Sequence, residues 1–84
     1  MTSLIHNPKY KRFYRLLTAY RRQQGVTQFQ LAQKLSRPQS FVSKYENGER
    51  RIDLIEFLAI AEALEIDPLE FIRVFQETVA EENL

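Results

Sequence analysis

The chain has 84 residues, of which 44% are hydrophobic and 27% are charged, a balance typical of one small globular domain and not of a disordered segment. The absence of cysteine excludes disulfides and thiol catalysis, and it leaves zinc without its preferred thiolate ligands. The longest apolar run, residues 57–61, is too short to cross a bilayer, and the N-terminus lacks the apolar segment of a secretory signal. We therefore expect a single cytoplasmic domain over residues 1–84, without a metal, a cofactor or membrane contact.

The net charge of +1 conceals a strong asymmetry along the chain. Residues 1–45 carry nine of the twelve basic side chains and no acidic one, whereas residues 46–84 carry three basic side chains and all eleven acidic ones. One half can therefore attract a polyanion such as a nucleic acid while the other repels it. The alternative is that solvated faces have segregated by charge without functional consequence.

Start and stop signals predict the first two helices. Helix 1, about residues 8–24, begins after Asn7 as the N-cap with Pro8 at the first helical position, and Gly25 follows its basic last turn. Helix 2 covers about residues 28–35. Apolar residues recur in both helices at spacings of three and four, the period of an amphipathic helix. They are Phe13, Leu16, Leu17 and Tyr20 in helix 1, and Leu31, Ala32 and Leu35 in helix 2.

Three further helices follow. Helix 3, about residues 39–47, lies between Pro38 and Gly48, and helices 4 and 5 cover about residues 54–64 and 68–81. The predicted capping boxes pair Thr27 with Gln30, Asp53 with Glu56, and Asp67 with Glu70. The apolar residues that mark these helices are Val42 and Tyr45; Leu54, Leu58, Ala61 and Leu64; and Leu69, Ile72, Phe75 and Val79. No window alternates like a strand, so we expect an all-α, compact five-helix bundle.

Residues 25–48 resemble the helix-turn-helix of the phage-repressor and Cro-like family, the xenobiotic-response-element type. They read GVTQFQLAQKL, a short turn, then QSFVSKYENG; the family pattern is G-[LV]-[ST]-Q-x-x-L-A-x-x-[LA], a turn, and a helix ending near E-N-G. The resemblance covers about residues 12–72. It implies the lambda-repressor-like five-helix fold and a domain that binds double-stranded DNA, usually as a dimer.

The turn between helices 2 and 3 departs from the family pattern. The family usually has a glycine followed by an apolar residue, whereas this chain has Ser36 and Arg37 before Pro38. We expect Ser36 to adopt a left-handed or nearly left-handed backbone, which a polar residue tolerates less well than glycine. Arg37 is expected to extend toward a DNA phosphate.

The outward face of helix 3 is the candidate base-reading surface. By resemblance, Gln39, Ser40 and Lys44 match family positions that contact base edges, and Ser43 lies on the same face. A glutamine suits adenine, a lysine suits guanine, and a serine does not discriminate. The alternative is a polar, solvated helix face.

Several residues are candidate contacts to the DNA backbone. By resemblance, Gln28 at the start of helix 2 and Asn47 at the end of helix 3 match phosphate-binding positions. Gln28 can also hold Gln39 for readout, and Asn47 can instead act only as a C-cap. Further candidates are Lys9, Lys11, Arg12, Arg37, Arg50 and Arg51.

The resemblance also implies a structural role for Arg21 and Glu46, which match a partly buried ion pair between helix 1 and the end of helix 3. Phe29 and Phe41 fall at positions that are usually polar in the family. We expect core packing or mutual contact for both; the alternative for Phe41 is contact with a thymine methyl group.

Helix 5 is more apolar than one core-facing stripe requires, so we expect a homodimer interface there, with Leu69, Ile72, Phe75 and Val79 as its candidate residues. The alternative is that a small core uses every apolar residue. No nucleophile–histidine–carboxylate set or phosphate loop is present in the sequence, so we expect no enzyme.

Two functions therefore stay open. The first is a sequence-specific transcription regulator, a small dimeric repressor that reads a near-palindromic operator. The second is an antitoxin-type protein whose acidic helices neutralise a basic toxin partner while helix 3 binds its own operator.

Overall fold

Five α-helices make up the computed structural model, which describes the backbone of residues 7–82 and the side chains of residues 7–78. The helices are α1 (Pro8–Gln23), α2 (Gln28–Leu35), α3 (Gln39–Glu46), α4 (Leu54–Ala63) and α5 (Pro68–Glu82). The predicted all-α, five-helix fold is confirmed, and each helix boundary lies within one residue of its predicted position. Within the described part of the chain, no helix combines the length and the hydrophobicity that a membrane crossing requires.

Side-chain caps fix where the helices begin. Asn7 Oδ1 accepts a hydrogen bond of 2.8 Å from the backbone N–H of Lys9 at the start of α1. The capping boxes predicted for α2 and α4 are both present. The box predicted for α5 is wrong in its second half: Asp67 caps the backbone N–H of Leu69, but the Glu70 carboxylate accepts from Arg73 instead. A charged partner one turn ahead competes successfully with a solvent-exposed backbone N–H.

The first four helices end in the same motif. Each is followed by one residue with a positive φ angle, and the next backbone N–H bonds a carbonyl in the last turn, as in a Schellman motif. These four residues are Gly25, Ser36, Gly48 and Glu65. Ser36, at φ 56° and ψ 43°, has the predicted left-handed backbone. The left-handed Glu65 was not predicted, because glutamate gives no sequence signal for that conformation.

All five helices contribute side chains to the core. Its fully buried large side chains are Leu17, Leu31, Val42, Tyr45, Ile60, Leu64 and Phe71. Gly48 is required in this packing because a Cβ there would collide with the hydroxyl of Tyr14.

The apolar stripe predicted for α4 is wrong in its first half. Leu54 and Leu58 are 64% and 41% exposed, and Phe57 and Ile60 face the core in their place. All ten residues of α4 except Glu56 and Glu62 are apolar, so the spacing of three and four fits two adjacent faces. The larger buried area of an aromatic ring favours the face that contains Phe57.

Aromatic rings join α5 to the rest of the domain. The ring of Phe71 is buried and lies 5.9 Å from that of Phe13 and 5.2 Å from that of Phe57, centroid to centroid. Phe75 is partly buried and also contacts Phe13. Phe75 therefore supports the monomer core as well as bordering the predicted dimer face, and the side chain of Val79 lies outside the described residues.

Candidate nucleic-acid interface

The helix α3 places its polar residues on one face. Val42 and Tyr45 are buried as predicted, while Gln39, Ser40 and Lys44 are exposed. Ser43 is half-buried at the edge of this face. The helix starts directly after Pro38, so Gln39 and Ser40 are its first two residues, and both lie on the surface. A face of this kind suits the major groove, where base edges are reached by short polar side chains.

A buried ion pair fixes the far end of α3. Arg21 on α1 donates from Nε to Glu46 Oε2 at 2.6 Å and from Nη2 to Oε1 at 3.0 Å. The two side chains are 8% and 5% exposed, and Arg21 Nη1 also donates to the carbonyl oxygen of Val26 at 2.8 Å. The hydrogen bonds to Glu46 raise the pKa of the Arg21 guanidinium. The structure thus contains the ion pair that the sequence resemblance implied.

Gln28 connects this ion pair to the exposed polar face of α3. Its Nε2 donates to Glu46 Oε1 at 2.9 Å, and its Oε1 accepts from Gln39 Nε2 at 3.5 Å, the long limit of a hydrogen bond. The amide of Gln28 is therefore oriented by a fixed carboxylate on one side and faces Gln39 on the other. This is the Gln28–Gln39 contact that we expected to hold Gln39 for readout.

Gln28 and Asn47 line one concave surface of about 400 Å³ between α1 and the helix-turn-helix. Arg15 and Arg22 of α1 line the same surface, and both are exposed. The sequence interpretation did not include these two arginines. Their spacing of seven places them on one face of α1, and this spacing could have identified them.

Arg37 and Arg50 meet at a second location, beside the start of α3. Arg50 binds Glu56 with two hydrogen bonds of 3.1 and 3.0 Å, and Arg37 Nη2 lies 3.0 Å from the Oε2 atom of the same carboxylate. Both guanidinium carbons lie over the ring of Phe41, at 4.4 and 4.8 Å from its centroid. The hydrogen bonds from Arg50 are the main reason that the pKa of Glu56 falls from 4.5 to about 2.

The two phenylalanines that the family pattern does not explain have different environments. Phe41 is buried and packs edge-on against Tyr45, which agrees with core packing and leaves its ring unavailable to a thymine methyl group. Phe29 is 56% exposed at the start of α2, so the expectation of core packing is wrong for this residue. Phe29 lies on the outward face of α2, whereas Leu31 and Ala32 of the same helix are buried.

Of the remaining predicted backbone contacts, Lys9, Lys11 and Arg12 lie on the first turns of α1, and Arg51 lies in the loop before α4. Lys11 and Arg51 are both exposed. Lys9 is exposed and Arg12 is partly buried. The hydroxyl group of Tyr10 accepts a hydrogen bond of 2.9 Å from the backbone N–H of Ile52, which brings this end of α1 next to the loop that carries Arg50. Within the residues whose side chains are described, no group of three or more His, Cys, Asp or Glu side chains could hold a metal ion.

Residues 17–71 match the helix-turn-helix family. The structure is also similar to that of an XRE-family like protein from Pseudomonas syringae pv. tomato str. DC3000, with 43% sequence identity, a TM-score of 0.82, and coverage of 88% of this chain and 90% of that chain. The chain belongs to the XRE-type helix-turn-helix family. Members of this family are DNA-binding transcription regulators, and this XRE-type protein has five helices, an exposed polar face on α3 and a buried Arg21–Glu46 ion pair that fit that role.

More distant structures share the fold. The wild-type restriction-modification controller protein C.Esp1396I is 19% identical, with a TM-score of 0.82 over 89% of this chain and 99% of that chain. The same controller protein, as a tetramer in complex with its natural 35 base-pair operator, matches with a TM-score of 0.78 at 19% identity over 86% of this chain and 95% of that chain. The sequence has no significant match among curated proteins.

Proposed function

We propose that this XRE-type protein is a sequence-specific regulator of transcription that inserts α3 into the major groove of double-stranded DNA. The observation that carries the proposal is the combination of an exposed polar face on α3 with an inner face that is buried and braced. Gln39, Ser40, Ser43 and Lys44 are the proposed base-reading residues. Their chemistry favours adenine opposite Gln39 and guanine opposite Lys44.

Backbone contacts around α3 set its depth and register in the groove. Gln28 presents a side-chain amide at the N-terminus of α2, where free backbone N–H groups already favour an anion. Asn47 and the two arginines of α1, Arg15 and Arg22, border the same concave surface and add donors and positive charge. Lys9, Arg12, Arg37 and Arg50 are the further proposed contacts to phosphates.

The proposed active form is a dimer that uses the exposed face of α5. One copy of α3 reads too few base pairs to select a site in a genome, and a two-fold axis doubles the information. Leu69 is 76% exposed and Ile72 is 38% exposed, in the acidic half of the chain. Ile72 also borders an apolar groove of about 350 Å³ that extends to Leu54 and Phe57.

A second copy of the chain is the proposed occupant of this groove. It would bury the exposed apolar residues against identical ones, as an isologous interface requires. The similar controller protein that was solved with its operator is a tetramer, which supports assembly of this fold on DNA. A dimer that occupies a near-palindromic operator within a promoter excludes other proteins from that DNA, so repression is the regulatory effect we propose.

A binding-site selection from random duplexes tests the function. We expect the wild-type protein to enrich a near-palindromic sequence whose half-sites lie about one helical turn, ~10 base pairs, apart. The Gln39→Ala and Lys44→Ala variants should each lose preference at one position of each half-site. Enrichment of no sequence, or of an asymmetric site that both variants select equally well, would overturn the proposal.

A further inference from the structure

The side chains of Arg37, Arg50, Phe41 and Glu56 form one compact cluster, which we call the arginine cluster. Arg37 lies in the turn before α3, and Phe41 lies in α3 itself. Arg50 lies in the loop after α3, and Glu56 lies in the first turn of α4. Glu56 is the centre, since Arg37 and Arg50 each place an Nη2 atom 3.0 Å from the same Oε2 atom. The two nitrogens are therefore no farther apart than twice that distance.

The position of Glu56 is fixed independently of the two arginines. It is the third residue of α4, and its Oε1 accepts the backbone N–H of Asp53 at 2.9 Å within the capping box. Its side chain is only 14% exposed. The carboxylate is thus held by the start of a helix, and the arginines arrange themselves around it.

Phe41 restricts the orientation of both guanidinium groups. The buried ring offers its face to Arg37 at 4.4 Å and to Arg50 at 4.8 Å, distances typical of cation–π contact. A planar guanidinium group that lies over an aromatic ring and is also hydrogen-bonded has less rotational freedom, before any ligand binds, than a fully solvated one. Binding a ligand then costs less side-chain entropy than it would for two flexible arginines.

The cluster has a net positive charge and N–H donors that can bind an anion. Two arginines and one carboxylate leave a formal charge of +1, and the arginine side chains are 42% and 39% exposed. Within the described residues, Arg37 uses a single nitrogen in hydrogen bonding, so its other N–H groups can donate to an anion. One arginine alone would satisfy Glu56, so the second one gives the cluster a net positive charge.

We propose that Glu56 is a positioning residue that holds Arg37 and Arg50 over Phe41 as one unit, and that this unit binds a single phosphodiester group of DNA beside the start of α3. The inference rests on the proposed function and adds to it a specific phosphate site and the acidic residue that organises it. A net charge of +1 matches one phosphodiester. Arg37 lies two residues before Gln39, so a phosphate held there fixes how the first turn of α3 meets the bases.

The test uses the full chain and the duplex that the wild-type protein selects from a random pool. Each phosphate in one half-site is replaced in turn by a neutral methylphosphonate, and the dissociation constant is measured. We expect the wild-type protein to lose roughly tenfold or more in affinity at the phosphate that the cluster binds, as for the loss of a charged hydrogen-bonded contact. The Arg37→Gln and Arg50→Gln double variant should be insensitive to replacement of that phosphate while keeping its sensitivity at the others.

The salt dependence separates one shared phosphate from two independent ones. For one phosphate, the double variant should lower the slope of log K against log salt concentration by ~0.9, and each single variant by about the same amount. Two independent contacts would give a loss of ~1.8 in the double variant and half of that in each single one. The second pattern would contradict the proposal that Arg37 and Arg50 bind one phosphate together. It would leave the proposal of DNA binding unaffected.

Glu56→Gln tests the positioning role, with Glu62→Gln as the matched control. Both substitutions remove one negative charge, and Glu62 is an exposed residue of the same helix. We expect Glu62→Gln to tighten binding slightly because it removes a negative charge. We expect Glu56→Gln to weaken binding of the selected duplex and to reduce its sensitivity to the methylphosphonate at the cluster's phosphate. A Glu56→Gln variant that binds like Glu62→Gln would overturn the role of Glu56.

The outcomes also separate this inference from the proposed function. A wild-type protein that selects no duplex overturns both. A wild-type protein that selects a duplex, while the arginine double variant keeps the wild-type sensitivity at every phosphate, shows that the cluster only braces α3 against α4. Circular dichroism and thermal melting of each variant establish that it is folded at the temperature of measurement.

Discussion

Glu46 and Gln28 form a hydrogen bond of 2.9 Å, and the same carboxylate holds the buried guanidinium of Arg21. The last turn of α3, the first turn of α2 and the last turn of α1 therefore meet at one charged group. Because Gln28 also faces Gln39, the ion pair that fixes the end of α3 is connected to the proposed base-reading residue at its start. Under the proposed function, this contact links fold stability to DNA recognition.

Removal of the carboxylate should destabilise the fold strongly. The Glu46→Ala variant leaves Arg21 as a buried charge without its partner, so we expect a loss of up to ~3–5 kcal/mol in the free energy of unfolding. Urea denaturation followed by circular dichroism measures this value. Glu49→Ala is the control, since Glu49 is exposed in the loop that follows. Equal melting temperatures for Glu46→Ala and the wild-type protein would show that the pair does not stabilise the fold.

Substitutions of the proposed base-reading residues and of the proposed backbone-contacting residues should change DNA binding in different ways. Lys44→Ala should cost about 1–3 kcal/mol in binding of the preferred duplex and relax the preference at one base pair. Gln28→Ala should instead weaken the binding of all sequences by similar amounts, because it removes a phosphate contact. Affinities measured against a panel of single-base variants of the duplex distinguish the two patterns. If Gln28→Ala alone changed the base preference, Gln28 would be the base-reading residue and Lys44 the backbone contact.

The stability that Glu56 provides should depend on acid pH. Its pKa is lowered to about 2 from 4.5, so its contribution is complete above pH 4.5 and is lost as the pH falls toward 2. We expect Glu56→Gln to cost about 1 kcal/mol at neutral pH, a small value because solvent screens the two partly exposed arginines. The difference from the wild-type protein should be mostly lost near pH 2 and should vanish below it.

Unfolding free energies of both proteins across this pH range provide the measurement. Glu62→Gln, on the same helix, should show no such trend with pH. A difference between the wild-type protein and Glu56→Gln that persists unchanged to pH 2 would mean that the ion pairs with the arginines are not its source.

The dimer face is best tested at Leu69. Phe75 is a poor choice for substitution because its ring packs against Phe13 in the monomer core, whereas Leu69 is 76% exposed. Leu69→Glu should keep the fold, give a monomer in analytical ultracentrifugation, and weaken binding of the two-half-site duplex on the order of 10²-fold through lost avidity. Binding of a random duplex should change far less.

Ile55→Glu is the matched control for this prediction. Ile55 is 72% exposed on α4 and does not line the groove beside α5, so this variant carries the same change in charge and hydrophobicity at a different place. We expect it to remain dimeric. A wild-type protein that sediments as a monomer at tens of micromolar would contradict the proposed dimer.

Local signals in the sequence were sufficient to predict the helices. Caps such as Asn7 and Thr27 act on backbone groups two or three residues away, so their effect can be predicted without knowing the rest of the fold. The left-handed backbone of Ser36 was expected for a different reason, because the family usually has a glycine at that position. Glu65 adopts that conformation without a sequence signal, since the packing of the residues around it decides the backbone there.

Tertiary contacts account for what the sequence did not predict. The helix α4 is apolar on more than one face, and only the fit of Phe57 among other rings selects the buried one. The arginine cluster joins Arg37 to a carboxylate 19 positions away, and no motif marks this pair. The ion pair of Arg21 with Glu46 joins residues 25 positions apart, but it was predicted because the family pattern contains both positions.

The central claim is that the exposed face of α3 reads base pairs in double-stranded DNA. The ratio of dissociation constants for the selected duplex and for a shuffled duplex of equal length and composition tests it most directly, measured over a series of salt concentrations. We predict a ratio of roughly 10³ or more at physiological salt, with affinity for both duplexes falling by ~0.9 log units per neutralised phosphate for each tenfold rise in salt. Equal affinities for the two duplexes, or affinities that do not change with salt, would contradict the account.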